Sequence, residues 1–241
     1  MTVKRDIALV TGASSGIGEA LALVCAQHQY DLILVARNQQ KLQALATQLN
    51  REYGVEVAVK PCDLTVPGAV KLLSEELLSE GKQVDILINN VGIFASKLFE
   101  ETTDADWQEM FQVNVMSSVQ LSRLFLPKMI TQNWGRILFV SSECAQLVPA
   151  DLIAYSTTKA ALHSLSRGMA QTTKGTKVTV NIIVPGSTLT DGAQRFLKDQ
   201  AIKDGKAGAG VKEAYESENF PSLAHKLGVK VIHVAERDTQ I

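Results

Sequence analysis

No charge of either sign prevails in this sequence: 24 lysines and arginines face 25 aspartates and glutamates, for a net charge of -1. Without a basic excess or a block of like charge, nothing points to nucleic acid and nothing reads as a charged tail. Cysteine is scarce. Cys25, Cys62 and Cys144 make an odd number, and no pair has metal-ligand spacing. Neither a disulfide framework nor a zinc site is expected, and no metal is anticipated. No run approaches the ~18 apolar residues of a membrane span. The opening MTVKRDIALVTG has no apolar signal core, and a cytoplasmic protein is expected. No low-complexity linker interrupts the chain before residue 186.

What is present is apolar and periodic. Apolar residues make up 46% of the 241, enough for a sizeable core in a single domain spanning 1–241. Short Val-, Ile- and Leu-rich runs recur at 7–11, 31–36, 55–60, 85–90, 136–142 and 178–184. Each is too short for a helix and too evenly apolar for a strand with one wet face, the mark of a parallel sheet covered on both sides. Between them lie segments of helical period. One carries Leu42, Leu45 and Leu49 on one stripe and stops near Gly54. The longest opens on Thr103, a cap residue followed by acidic side chains. The alternation predicts an α/β fold, a doubly wound parallel sheet with helices on both faces.

Directly after the first strand comes TGASSGIGEA, in which Gly12, Gly16 and Gly18 lead into the next helix. Glycines there permit a tight turn and let a pyrophosphate approach the backbone and the helix N-terminus. The spacing G-x3-G-x-G differs from the commoner G-x-G-x-x-G, and a purely structural turn is the competing reading. The strand–loop–helix setting favours a dinucleotide. The second strand ends in Ala36 and Arg37 rather than an acidic residue. A guanidinium can bind a 2′-phosphate that a carboxylate would repel, so NADP is expected over NAD. The alternative is a surface arginine at a helix start.

Tyr155 and Lys159 stand four apart in AYSTTKAALHSLSRGMA, one above the other on a helix. An ammonium beside a phenol favours the phenolate. Lowering a tyrosine from ~10 to near 7 requires roughly 4 kcal/mol, which one charge at ~4 Å supplies at an effective dielectric of ~20. The pair is therefore expected to act as a general acid/base poised near neutrality. Ser142 ends the fifth strand, on the side where such sheets bind ligands, and could hydrogen-bond a carbonyl.

With TGASSGIG, Asp63 in CDLT, NNVG at 89–92, Asn114, SS at 141–142, YSTTK and PGSTLT in order, the chain resembles the short-chain dehydrogenase/reductase family, in its compact single-domain branch. The resemblance covers about four fifths of the chain and implies a Rossmann-like fold. It also implies roles. Tyr155 would protonate the reduced carbonyl, Lys159 would hold the nicotinamide ribose and lower the tyrosine pKa, and Ser142 would orient the carbonyl. Asn114 would hold a water linking Lys159 to solvent. Gly12, Ser14, Ser15, Gly16, Ile17, Gly18, Asn90 and Gly92 would lie along the cofactor, with Asp63 beside the adenine. Pro185, Gly186 and Thr188 would close on the nicotinamide. Val91 replaces the family's usual alanine.

Other residues carry plainer readings. His163, eight residues after Tyr155, is ~12 Å along the helix axis and is read as a packing or interface residue. Cys144 has no cation near it in sequence. Leu147, Val148 and Pro149 suit substrate contact and loop packing equally. Residues 191–225 correspond to a substrate lid. Residues 226–241 lack the family's acidic pair and glycine-rich end, and either build a seventh strand or replace it. The expected activity is NADPH-dependent reduction of a small, partly apolar carbonyl compound, or oxidation of the alcohol. The alternatives are a cofactor-binding, redox-responsive interaction protein, and, less in keeping with the glycine spacing, a sugar-nucleotide epimerase or dehydratase. A homodimer through the helices of Asn114 and Tyr155 is expected, with the tetramer contact weakened or absent.

Overall fold

The computed structural model describes residues 5–186, 188 and 190. Residues up to Ile183 form one compact unit, and the chain from Val184 onward belongs to a second. The first contains six strands, β1 (Ile7–Thr11), β2 (Asp31–Ala36), β3 (Val57–Pro61), β4 (Ile86–Asn89), β5 (Gly135–Val140) and β6 (Val178–Ile183). They pair in the order β3-β2-β1-β4-β5-β6, and every pairing is parallel. The α/β, doubly wound expectation is met.

Period-two alternation divides the core into two layers. Ala8 and Val10 of β1, with Leu32 and Leu34 of β2, face one side. There they meet α1 (Gly16–Gln27) and α2 (Gln39–Tyr53) through Ala22, Cys25, Leu42, Leu45 and Leu49. Leu9, Ile33, Leu87 and Phe139 face the other side. They are covered by α3 (Ala69–Ser79), α5 (Ser117–Thr131) and α6 (Ile153–Thr172). With both faces dry, the strands can be apolar throughout. Helix ends follow local chemistry. Asn38 caps α2 by accepting from Lys41 N, and Gly54 ends it in the left-handed region. Thr103 and Asp106 form a reciprocal capping box at the start of α4 (Asp104–Phe111).

The segment expected as one long helix from Thr103 differs in its middle. Between α4 and α5, Gln112–Met116 is a π-helical turn, and Ser117 N–H donates to the carbonyl of Gln112, five residues back. Asn114 sits inside this turn. π-turns are uncommon and concentrate at functional sites.

Candidate active site

The strand order reverses direction between β1 and β4, and ligands of such sheets bind beyond the strand ends at that point. Thr11 locks the two ends together. Its buried hydroxyl accepts from Asn90 N at 2.9 Å and Val91 N at 3.0 Å, and donates to Ile88 O at 3.2 Å. Asn90 Nδ2 returns a bond to Thr11 O at 2.9 Å. Asn90, expected along the cofactor, thus also holds the turn after β1. Thr11 escaped the sequence reading as an individual residue, although a hydroxyl at a strand end just before a glycine turn was a usable signal.

The loop after β1 has the shape a pyrophosphate needs. Gly12 and Gly16 have φ of 65° and 60°. A Cβ on Gly18 would lie 2.3 Å from Gly12 O, so only glycine lets helix and turn meet. Ser15 occupies the N-cap of α1 without a side-chain cap bond, which leaves N–H groups of the first turn, Gly16, Ile17 and Gly18, to an anion. Ser14 lies half-buried in the same turn. Arg37 follows β2 on the exposed surface. Its charge reaches Asp63, whose carboxyl is held below the usual range first by the Thr65 backbone N–H, then by the Thr65 hydroxyl and by Arg37. The residues present therefore fit a dinucleotide with an anionic group near Arg37.

Beyond β4 and β5 the proposed catalytic residues converge. Ser142 caps a short 3-10 turn, Glu143–Ala145, accepting from Cys144 N at 3.2 Å, and its hydroxyl acts to lower the pKa of the Tyr155 phenol. Lys159 is buried, and its Nζ donates to Val140 O at 2.9 Å. A Cβ on Gly92 would come within 3.2 Å of that Nζ and 3.4 Å of Asn114 Oδ1, so the bare glycine leaves room beside the ammonium. Asn114 is wholly buried. Its Oδ1 accepts from Ile93 N at 2.7 Å, and its Nδ2 donates to Ile93 O and to Thr158 Oγ1, both at 2.9 Å. Both amide hydrogens are thus committed to the protein.

The electrostatics correct one expectation. Tyr155 is not poised near neutrality: burial pushes it up to about 12, and the Ser142 hydroxyl offsets only part of the rise. Burial likewise pulls Lys159 down to about 8. Its Nζ lies 5.6 Å from the centroid of the phenol ring. The physical reason is burial, which disfavours the charged form of each group, phenolate and ammonium alike. At neutral pH the pair is a neutral phenol beside a charged ammonium.

His163, expected as a packing or interface residue, is half-buried on α6. Its Nε2 lies 3.0 Å from Ser141 Oγ, which donates to the Lys159 carbonyl at 3.0 Å. Pro185, Gly186 and Thr188 lie in the second unit, where the Thr188 hydroxyl donates to Gly186 O at 3.0 Å. The lid at 191–225 and the segment 226–241 lie outside the described residues. Among the described residues no cluster of metal-ligating side chains exists, and no helix is long and apolar enough to cross a membrane.

Comparison with known proteins agrees with this architecture. A family model described as short chain dehydrogenase matches residues 6–201. The chain is 40% identical over 206 residues to the uncharacterized oxidoreductase YvrD of Bacillus subtilis, covering 86% of this chain and 77% of that protein. It is 32% identical over 189 residues to the 3-oxoacyl-acyl-carrier-protein reductase FabG of Aquifex aeolicus, covering 78% and 76%. Among solved structures, L-sorbose reductase from Gluconobacter frateurii, complexed with NADPH and L-sorbose, superposes with a TM-score of 0.80 at 30% identity, covering 94% of this chain and 83% of that one. The chain is an oxidoreductase by kinship and belongs to the short-chain dehydrogenase family.

Proposed function

We propose that this protein reduces a carbonyl group of a small molecule with NADPH, or oxidises the corresponding alcohol, with Tyr155 as the proton donor. The observation that carries the reading is the meeting of Ser142, the Tyr155 phenol and the Lys159 ammonium beyond the ends of β4 and β5, beside the bare Gly92. NADPH, when bound, supplies the hydride. Ser142 Oγ and the phenol hold the substrate oxygen, and the phenol gives it a proton as negative charge develops. Lys159 keeps a positive charge below pH ~8 and stabilises the phenolate left behind. A protonated phenol is the form that reduction consumes, so reduction is favoured near neutral pH, while alcohol oxidation requires alkaline conditions.

Arg37, placed after β2, supports a 2′-phosphate and hence NADPH over NADH. L-sorbose reductase, the similar structure solved with NADPH, supports the same choice. Residues Gly12 to Gly18 would hold the pyrophosphate, Asp63 the adenine side, and Pro185, Gly186 and Thr188 the nicotinamide side. For Asn114, whose amide hydrogens are taken, a water-holding role falls to its backbone carbonyl. We place the enzyme in the cytoplasm, where three free thiols stay reduced, as a homodimer through α5 and α6. Following NADPH absorbance with the purified protein across aldehydes, ketones and acyl thioesters tests the function. Turnover of a carbonyl compound is the expected result. Tight NADPH binding with no turnover of any class would favour a cofactor-sensing interaction protein instead.

A further inference from the structure

Phe94 lies two residues past Gly92 and keeps 40% of its surface exposed. Its ring centroid is 5.8 Å from that of Tyr155, with the planes tilted by 58°. The loop that carries it is pinned on both flanks. On one side the Asn114 amide grips both backbone groups of Ile93. On the other, Ser96 Oγ bonds the Asp151 carboxylate, Lys97 N donates to Asp151 O at 2.9 Å, and Lys97 Nζ meets Asp106 Oδ1 at 2.7 Å. Asp151 stands just before α6, the helix that presents Tyr155. An exposed phenyl ring is thereby fixed against the phenol by three separate elements.

From this placement we infer that Phe94 is a specificity-determining residue, selecting substrates whose carbonyl carries an apolar, preferably aromatic, substituent over polyhydroxy ketones. The inference rests on the carbonyl-reducing reading of the site. A substrate oxygen held by Ser142 and Tyr155 puts the neighbouring substituent beside the Phe94 ring. An aryl group there gains a tilted or offset ring contact and sheds water. Sugar hydroxyls pressed against the same ring lose hydrogen bonds to water without replacement. A loop tied down by five hydrogen bonds keeps the ring in place before substrate arrives, so little ordering opposes binding.

The test compares kcat/KM for acetophenone and for dihydroxyacetone with NADPH, in the wild type, Phe94→Ala and Phe94→Leu. The wild type should favour acetophenone, and Phe94→Ala should lower the acetophenone-to-dihydroxyacetone ratio about tenfold, the scale on which apolar pockets discriminate. Phe94→Leu should fall between them. A ratio unchanged in both variants, or a wild type that prefers dihydroxyacetone, overturns the inference while leaving carbonyl reduction standing. Binding of 1-phenylethanol to the NADPH-loaded protein, followed by saturation-transfer NMR, separates the other case. Binding that depends on Phe94 without turnover of either ketone would sink the proposed reaction and keep the apolar site. Absence of both binding and acetophenone turnover overturns the site. NADPH affinity, equal in all three proteins, confirms that the variants are folded.

Discussion

Replacing Lys159 by methionine should abolish turnover yet change stability in a way that depends on pH. The ammonium is buried, and the distance between its ordinary 10.5 and about 8 corresponds to a destabilisation of about 3 kcal/mol at pH 7 relative to a neutral side chain. The bond from Nζ to Val140 O works against the substitution, since a carbonyl left without a donor costs about 1–3 kcal/mol. The net effect at pH 7 is therefore between no change and a gain of about 2 kcal/mol for Lys159→Met. The pH dependence is cleaner, because the lost hydrogen bond is common to every pH. The folded-state pKa of this base is depressed, so between about 8 and 10.5 the unfolded chain binds more protons than the folded one. Wild-type stability must then rise with pH through that window. Relative to Lys159→Met, the wild type should gain about 2 kcal/mol between pH 7 and 9.5. Urea unfolding of both proteins at the two pH values reads this directly. A difference between the proteins that stays constant from pH 7 to 9.5 would show that Lys159 is not desolvated, and the account of its charge would fall.

Other consequences are simpler to read. Arg37→Asp should weaken NADPH binding by one to two powers of ten, the worth of a charge-assisted contact, and leave NADH binding equal or tighter; a cofactor titration that shows no change would remove Arg37 from the site. Gly18→Ala sets a Cβ 2.3 Å from Gly12 O and should cost cofactor affinity at least tenfold, with calorimetry as the check. Asn114→Leu removes three hydrogen bonds and should lower the urea midpoint along with kcat; unchanged unfolding would mean that Ile93 is held by something else. Light scattering at micromolar concentration should give a dimer, and a stable tetramer would contradict the expectation that the second, tetramer-forming contact is weakened or absent.

The fold was legible in the sequence because its signals are local and redundant. Six short apolar runs mark six strands, and Leu42, Leu45, Leu49 and Gly54 mark α2 and its end. The glycine loop was legible for the same reason, since backbone geometry at Gly12 and Gly16 forces the residue type. The π-turn at Asn114 was not, because it depends on an amide that grips Ile93, 21 residues away. Nor was the state of Tyr155. Spacing gave the charge next to it, but burial decides the sign of its shift, and burial is a property of the packed site. Phe94 was one aromatic in an unpatterned loop until the contacts of Asn114 and Asp151 fixed its place.

The most direct test of the central claim is single-turnover reduction of a carbonyl substrate by NADPH in the wild type and in Tyr155→Phe. The phenol delivers the proton and contributes little to cofactor binding in this account. Tyr155→Phe should therefore lose at least a hundredfold in the chemical step, the low end of what a general acid supplies, while its NADPH dissociation constant stays within about twofold of the wild type. Equal rates in the two proteins would contradict the assignment of Tyr155 as the acid, and with it the mechanism.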